Sequence, residues 1–313
     1  MIWIGFLLFI LFLLGIDLGL LRQKEHVVSA KEASAWTLFW IILSLLWMGV
    51  VYYVYENKII LSQENQPISG SEASLQYLTG YFVEKSLSLD NIFVIALVFS
   101  YFSVPLQLQH RVLTWGILGV LVLRFAMISA GILLINEFAW ITYIFGALLL
   151  YTTLKLMVMK DKPFIPEESY LVHWARKLFP VTSEFHGNSF FVKIDSRWHC
   201  TPLFLALIVV ESSDILFAID SIPAIFAITT EPFIVFTSNI FAVLGLRSMY
   251  FLLAAWIQRF VHLKTCLIFI LLFISVKMLL IHHYPISSTV SLFVILTTLA
   301  LGIVASLFSE KEK

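Results

Sequence analysis

The sequence predicts an all-α polytopic membrane protein, with about nine transmembrane helices around a core of two inverted three-helix repeats. Three observations predict it. Of the 313 residues, 60% are apolar and only 13% charged, a balance unlike that of a soluble domain. Apolar runs recur near the ~20 residues that a helix needs to cross a hydrocarbon core. The central part of the chain also repeats its own landmarks.

The runs occupy 2–21, 36–55, 75–103, 113–135, 140–159, 201–228, 233–256, 264–282 and 289–308. The first lacks a basic start and a small-residue cleavage pattern and contains Asp17, which predicts a retained span rather than a secretory signal. The chain therefore divides into two N-terminal spans (1–74), a three-helix unit (75–159), a polar loop (160–199), a second three-helix unit (200–286) and a last span with its tail (287–313). Cys200 and Cys266 lie near span ends, which supports neither a disulfide framework nor a metal–cysteine site.

Basic residues in short loops mark the cytoplasmic side. With the N-terminus outside, the inner loops and tail hold fourteen of the twenty Lys and Arg, the outer loops only Lys58, and five (Lys85, Arg124, Lys155, Arg247, Lys277) fall within spans. This places the C-terminus and the 160–199 loop in the cytoplasm. That loop has mixed charge and the chain a formal net charge of zero, which argues against a nucleic-acid partner. Its His173, His186 and His199, with Glu184 and Asp195, are read as surface residues before a regulatory metal site, and His282 and His283 as interfacial before exit-mouth ligands.

The repeat is read from "EKSLSLDN" and "DILFAIDS", in which Glu84 and Asp90, and then Asp214 and Asp220, stand six residues apart. One span later "GILGVLVLR" ends at Arg124 and "NIFAVLGLR" at Arg247; another span on, "TLKLM" places Lys155 where "SVKML" places Lys277. Each unit has three spans, so the second enters the membrane from the side opposite to the first. Secondary transporters are built this way, with substrate sites near the midplane where the units meet.

Five acids, Glu84, Asp90, Glu211, Asp214 and Asp220, thus fall inside spans. An ionised Asp at a helix centre costs about 2.5 to 3.5 kcal/mol even on the lenient scales, so such groups mark functional sites by default. At 3.6 residues per turn Glu211 and Asp214 share a face while Asp220 points about 120° away, and Glu84, Ser88 and Asn91 share another. Either both faces are buried or the helix breaks and re-aims its second acid, and Pro223, just after Asp220 and Ser221, makes a break in the second unit plausible. Freed carbonyls there would add oxygen ligands.

With Lys85, Arg124 and Arg247 as supporting ion-pair partners, the five acids leave a residual charge of −2. A divalent cation would neutralise that, although protonation of two acids would do the same. Lys155, Lys277 and Asp17, near span ends, are set aside as snorkelling or interfacial. Carboxylates, an amide, hydroxyls and carbonyls without cysteine favour Mg²⁺, Ca²⁺ or Mn²⁺, and the residues alone leave those three open. Arg124 and Arg247 are expected to hold one acid apiece, each in its own half.

At these residues the sequence resembles the TerC family of integral membrane proteins, near its Alx branch. The matching stretches are "HVVSAKEASAW", "EKSLSLDNIFV", "FSYFSVP", "ESSDILFAIDSIPAIFAITTEPFIV" and "TSNIFAVLGLRSMYFLLA", from residue 26 to about 255. The resemblance implies membership of the LysE-type transporter superfamily, a place in the bacterial inner membrane and export of Mn²⁺, with Glu84, Asp90, Asn91, Glu211, Asp214 and Asp220 on the metal pathway. The leading expectation is a Mn²⁺ exporter, not an enzyme and without a resident cofactor, that exchanges the metal for H⁺. The alternatives are a membrane scaffold that assembles or metallates partner proteins, and an exporter of another small cation.

Overall fold

A computed structural model describes residues 2–20, 29–60, 68–138, 140–158, 177, 180–182, 184–194, 196–254, 263–280, 284 and 286–309; within these, the side chains of residues 17–20, 89, 90, 254, 263, 264 and 307–309 fall outside the description. Asp17, Asp90, His173, Asp195, His282 and His283 are therefore sequence readings whose side chains lie outside the described residues.

Helix α1 covers Ile2–Leu20 and α2 Ala30–Glu56. Helix α2 and α3, Gly70–Tyr101, begin alike, at Ser29 and Ser69, whose hydroxyls accept from the backbone N–H of Glu32 and Glu72. This Ser-x-x-Glu start satisfies a backbone donor that the first helical turn leaves open. Helix α4, Leu106–Glu137, starts after Pro105, and α5 covers Ile141–Val158. Helices α6, Pro202–Phe226, and α7, Pro232–Leu244, carry proline at their first position, where its missing N–H removes no helical bond. Gly245 separates α7 from α8, Leu246–Ala254. Helix α9 covers Leu263–Leu280 and α10 Ser288–Ser309.

A helix stands at each of the nine expected positions, with α7 and α8 together filling the seventh. Among the described residues six stretches, including Ala30–Glu56, Leu106–Glu137, Pro202–Phe226 and the combined Pro232–Leu253, are long and apolar enough to cross a membrane, while Ile2–Ile16 and Thr265–Leu280 are shorter apolar helices. Helix α3 stands apart because Glu72, Glu84, Lys85 and Asp90 interrupt its apolar sequence. Among the described residues a small antiparallel hairpin, β1 (Phe191–Ile194) on β2 (Arg197–Cys200), departs from the all-helical plan at the end of the 160–199 loop, with an isolated bridge from Val181 to Cys200.

The centre is α3, α4, α6 and α7. Helix α3 packs on α6 and α7, and α4 packs on α6 and α7. Helices α5 and α9 lie against each other, and α10 covers α3 and α9. Helix α1 is fastened by rings: Phe6 packs on Trp47, Phe233 and Phe236 at centroid distances of 5.2 to 6.0 Å. The apolar window of Pro232–Leu253 is 94% buried, against 22 to 44% for the other five, so α7 and α8 form the innermost wall.

The expected break at Asp220 to Pro223 does not occur. Helix α6 runs unbroken to Phe226. Pro223 falls in its last turn, where a proline removes one backbone bond and little helix remains to be re-aimed. The interruption lies instead at Gly245, where a Cβ would stand 3.0 Å from Lys85 Nζ and 3.1 Å from Trp40 Cβ. A side chain there would make Lys85 and Trp40 give by a few tenths of an ångström, so glycine lets α2 and α3 approach the joint this closely.

Candidate functional site

Near the middle of α3, α4, α6 and α7, five polar side chains meet: Glu84, Asn91, Arg124, Asp214 and Asn239, none more than 3% exposed. The Arg124 guanidinium is the hub. Its Nη2 donates to Asp214 Oδ1 at 3.1 Å and its Nε to Asp214 Oδ2 at 3.4 Å. Its Nη1 donates to Glu84 Oε1 and, at 3.1 Å, to Asn239 Oδ1. Asn239 closes the ring by donating from Nδ2 to Glu84 Oε2 at 3.0 Å, and Asn91 Nδ2 donates to Asp214 Oδ1 at 2.7 Å. A two-pronged guanidinium–carboxylate pair of this kind is the strongest side-chain contact available to an ion out of water.

Arg124 therefore joins an acid of its own repeat, Glu84, to one of the other, Asp214, in place of the expected single acid within its own half. Its sequence counterpart Arg247 donates to His110 Nε2 at 3.1 Å and Thr114 Oγ1 at 3.0 Å, both near the start of α4. Lys85, read as an ion-pair partner, ends on a backbone carbonyl: its Nζ donates to Ala242 O at 3.1 Å, close to the α7–α8 joint. That placement suits a cation, since the carbonyls of a helix C-terminus carry partial negative charge. Lys277, read as snorkelling, is buried at 5% exposure with its Nζ on Ser291 Oγ at 2.9 Å, whereas Lys155 is exposed.

The acids do not all converge. Glu211, one turn before Asp214 on the same face, is half-buried against α4 with Oε2 unpartnered. It fits there because Gly119 has no side chain: a Cβ would stand 2.2 Å from Glu211 Oε1. Asp220 looks elsewhere, toward Thr152 and Lys155 of α5, with Oδ1 unpartnered. Among the described residues no three His, Cys, Asp or Glu side chains gather closely enough to hold a metal ion, and the described part of the 160–199 loop adds no such cluster. The predicted site residues whose side chains are described thus sort into a closed network (Glu84, Asn91, Asp214), a neighbour with an unpartnered oxygen (Glu211) and an acid on another face (Asp220).

A cavity of about 10 Å³, room for one small sphere, lies beside the network and is lined by Asn91, Asp214, Gly116, Val210 and Val243 among others. Asn91 Oδ1 has no hydrogen-bond partner. Sequence reasoning missed Asn239 and Glu231. Asn239 is a neutral amide in "TSNIF" and reads as span wall, although the repeat sets it opposite Gly116 in "GILGVLVLR". Glu231, 1% exposed at the α6–α7 turn, accepts from Tyr55 Oη at 3.4 Å and ties that turn to α2.

A helical bundle with several membrane-crossing stretches and a charged network shielded at its centre is an integral membrane protein. Residues 69–313 match the integral membrane protein TerC family, and the chain belongs to that family. An uncharacterized membrane protein of Myxococcus xanthus is 46% identical over 99% of this chain and 93% of its own length. Two proteins described as candidate membrane-bound redox modulators named Alx are similar as well. The one from Salmonella typhi is 43% identical over 100% of this chain and 96% of its own length, and that from Escherichia coli K12 is 46% identical over 94% and 90%. No solved structure matches the chain.

Proposed function

We propose that this protein is a secondary transporter that exports Mn²⁺ from the cytoplasm across the bacterial inner membrane by alternating access, with H⁺ as the counter-ion. The observation that carries the reading is the Glu84–Arg124–Asp214 network. It draws one acid from each repeat to a water-poor point near the middle of four helices, at a cost that a purely structural bundle has little reason to bear. The nine-span, inverted-repeat plan is supported by the packing. Exchanging α3 with α6, α4 with α7 and α5 with α9 turns the α3–α7 contact into the α6–α4 contact and leaves the α5–α9 and α3–α6 contacts in place. Two halves that meet across such an axis can rock about a shared site.

The donor set supports a hard cation. Glu84, Asp214, Asn91 and Asn239 offer carboxylate and amide oxygens without sulfur, the chemistry preferred by Mg²⁺, Ca²⁺ and Mn²⁺; manganese is selected by the family resemblance. With Asp90 and Asp220 as further carboxylates on the pathway, metal passes from one oxygen cluster to the next, and protons take its place on the vacated acids. The test is flux with purified protein in liposomes, measured for several divalent ions with and without a pH gradient. Mn²⁺ efflux is expected in the native chain and is expected to vanish in Asp90→Asn and Asp220→Asn; undiminished efflux in both variants overturns the reading.

The redox role in the description of the Alx relatives has a different signature. It would act through thiols, and Cys200 and Cys266 are buried, not joined by a disulfide and on separate elements, β2 and α9. Under the transport reading, replacing both with serine leaves Mn²⁺ efflux intact.

A further inference from the structure

We infer that Arg124 is a tethered stand-in for the transported cation: its guanidinium fills the cation's place between Glu84 and Asp214 when the site is empty, and the incoming metal must displace it. The inference rests on the transport reading and deepens it. Three features of the network point this way. First, the oxygens that Arg124 engages, Glu84 Oε1, both Asp214 oxygens and Asn239 Oδ1, are the set a hard divalent ion would take. Second, the charges fit. Glu84, Asp214 and Arg124 sum to −1, and the two acids without Arg124 sum to −2, which a divalent ion neutralises in full.

Third, one donor is left over. Asn91 Oδ1 is buried, partnerless and beside the small cavity that Asp214 also lines. None of the N–H groups that Arg124 places on Asp214, Glu84 and Asn239 donates to it; a metal ion would complete its shell with that oxygen. The displaced guanidinium also has somewhere to go. Glu211 lies on the Asp214 face of α6 and against Gly119, little more than one turn before Arg124 on α4, with Oε2 unpartnered. Swung one turn back along α4, the guanidinium would meet that acid, which lowers the cost of leaving the first pair.

The device has a functional consequence. Two bare carboxylates in a dry site would resist the return of the empty carrier, because an unpaired buried charge is costly. With Arg124 seated between them, the metal-free form carries most of its own counter-charge, and protons on the other vacated acids complete it before the carrier changes orientation. The same seat competes with the metal, so the apparent affinity is reduced by the fraction of molecules in which Arg124 occupies the site.

The test measures Mn²⁺ binding to the purified full-length protein, by the loss of the free-ion paramagnetic resonance signal, in the native chain, Arg124→Gln and Arg124→Lys. Arg124→Lys keeps the buried positive charge and gives a folded comparison should Arg124→Gln assemble poorly. Both folded variants are expected to bind Mn²⁺ about tenfold more tightly or better, since the competing seat is emptied or weakened. Added guanidinium ion is expected to compete with Mn²⁺ in Arg124→Gln but not in the native chain. In liposomes Arg124→Gln should retain Mn²⁺–Mn²⁺ exchange while losing net efflux. A folded variant that binds Mn²⁺ no more tightly than the native protein overturns the inference and leaves the transport reading standing. Absence of Mn²⁺ binding and flux in the native protein removes both.

Discussion

Asn239 shows how much a single neutral residue can carry at this site. It accepts from Arg124 and donates to Glu84, so it holds the guanidinium and one carboxylate in register from a third helix. Asn239→Leu keeps similar bulk and strands both partners. Each buried polar group left without its bond costs about 1–3 kcal/mol, so thermal unfolding in detergent should fall by that order and Mn²⁺ efflux should drop with it. Unchanged stability and transport would mean that the amide is incidental. Glu84 and Asp214 were legible in the sequence because charge inside an apolar run is expensive wherever it falls. Asn239 was not, since an amide inside a span has many harmless readings and its partners come from elements 115 and 155 residues away.

Between helices, the pairing of α4 with α6 is set by glycine as well as by charge. Gly116 and Gly119 both face α6, yet their surroundings differ. A Cβ on Gly116 would meet Val210 at 3.6 Å, an ordinary contact, whereas one on Gly119 would stand 2.2 Å from Glu211 Oε1 and 2.5 Å from its Cδ. Gly116→Ala should therefore be tolerated, with a gain of up to about 1 kcal/mol from helix propensity. Gly119→Ala should swing the flexible Glu211 carboxylate out of its notch at little cost in stability and slow efflux through loss of that acid's position. Unfolding midpoints and efflux of the two variants, measured side by side, check the contrast; equal behaviour would remove Glu211 from the pathway.

The same scale shows where sequence patterns lose their grip. The boundaries and caps of α2 and α3 follow from Ser-x-x-Glu, and those of α6 and α7 from proline at the first position. The break did not: Pro223 made one plausible but sits where a helix was about to end, while Gly245 drew no reading in "VLGLR". Its effect comes from Lys85 and Trp40 pressing on the joint from two other helices. The hairpin in the 160–199 loop was missed for a simpler reason, its strands being four residues each.

For the molecule as a whole, the decisive question is whether α3 and α6 enter the membrane from opposite faces, because rocking about a shared site requires it. The distribution of Lys and Arg predicts that the α3 start lies outside and the 160–199 loop inside. Ser69, the α3 cap, and Glu184, in the loop before α6, are both exposed, so single cysteines at either position can be labelled. The background is simple, since Cys200 and Cys266 are buried and can be replaced with serine. In intact cells a membrane-impermeant maleimide should react with Ser69→Cys and spare Glu184→Cys until the membrane is opened. Labelling of both from the same side would place α3 and α6 in parallel. The exchange of packing partners between the halves would then reflect an axis along the membrane normal, and the network around Arg124 could not open alternately to the two sides by rocking of inverted repeats.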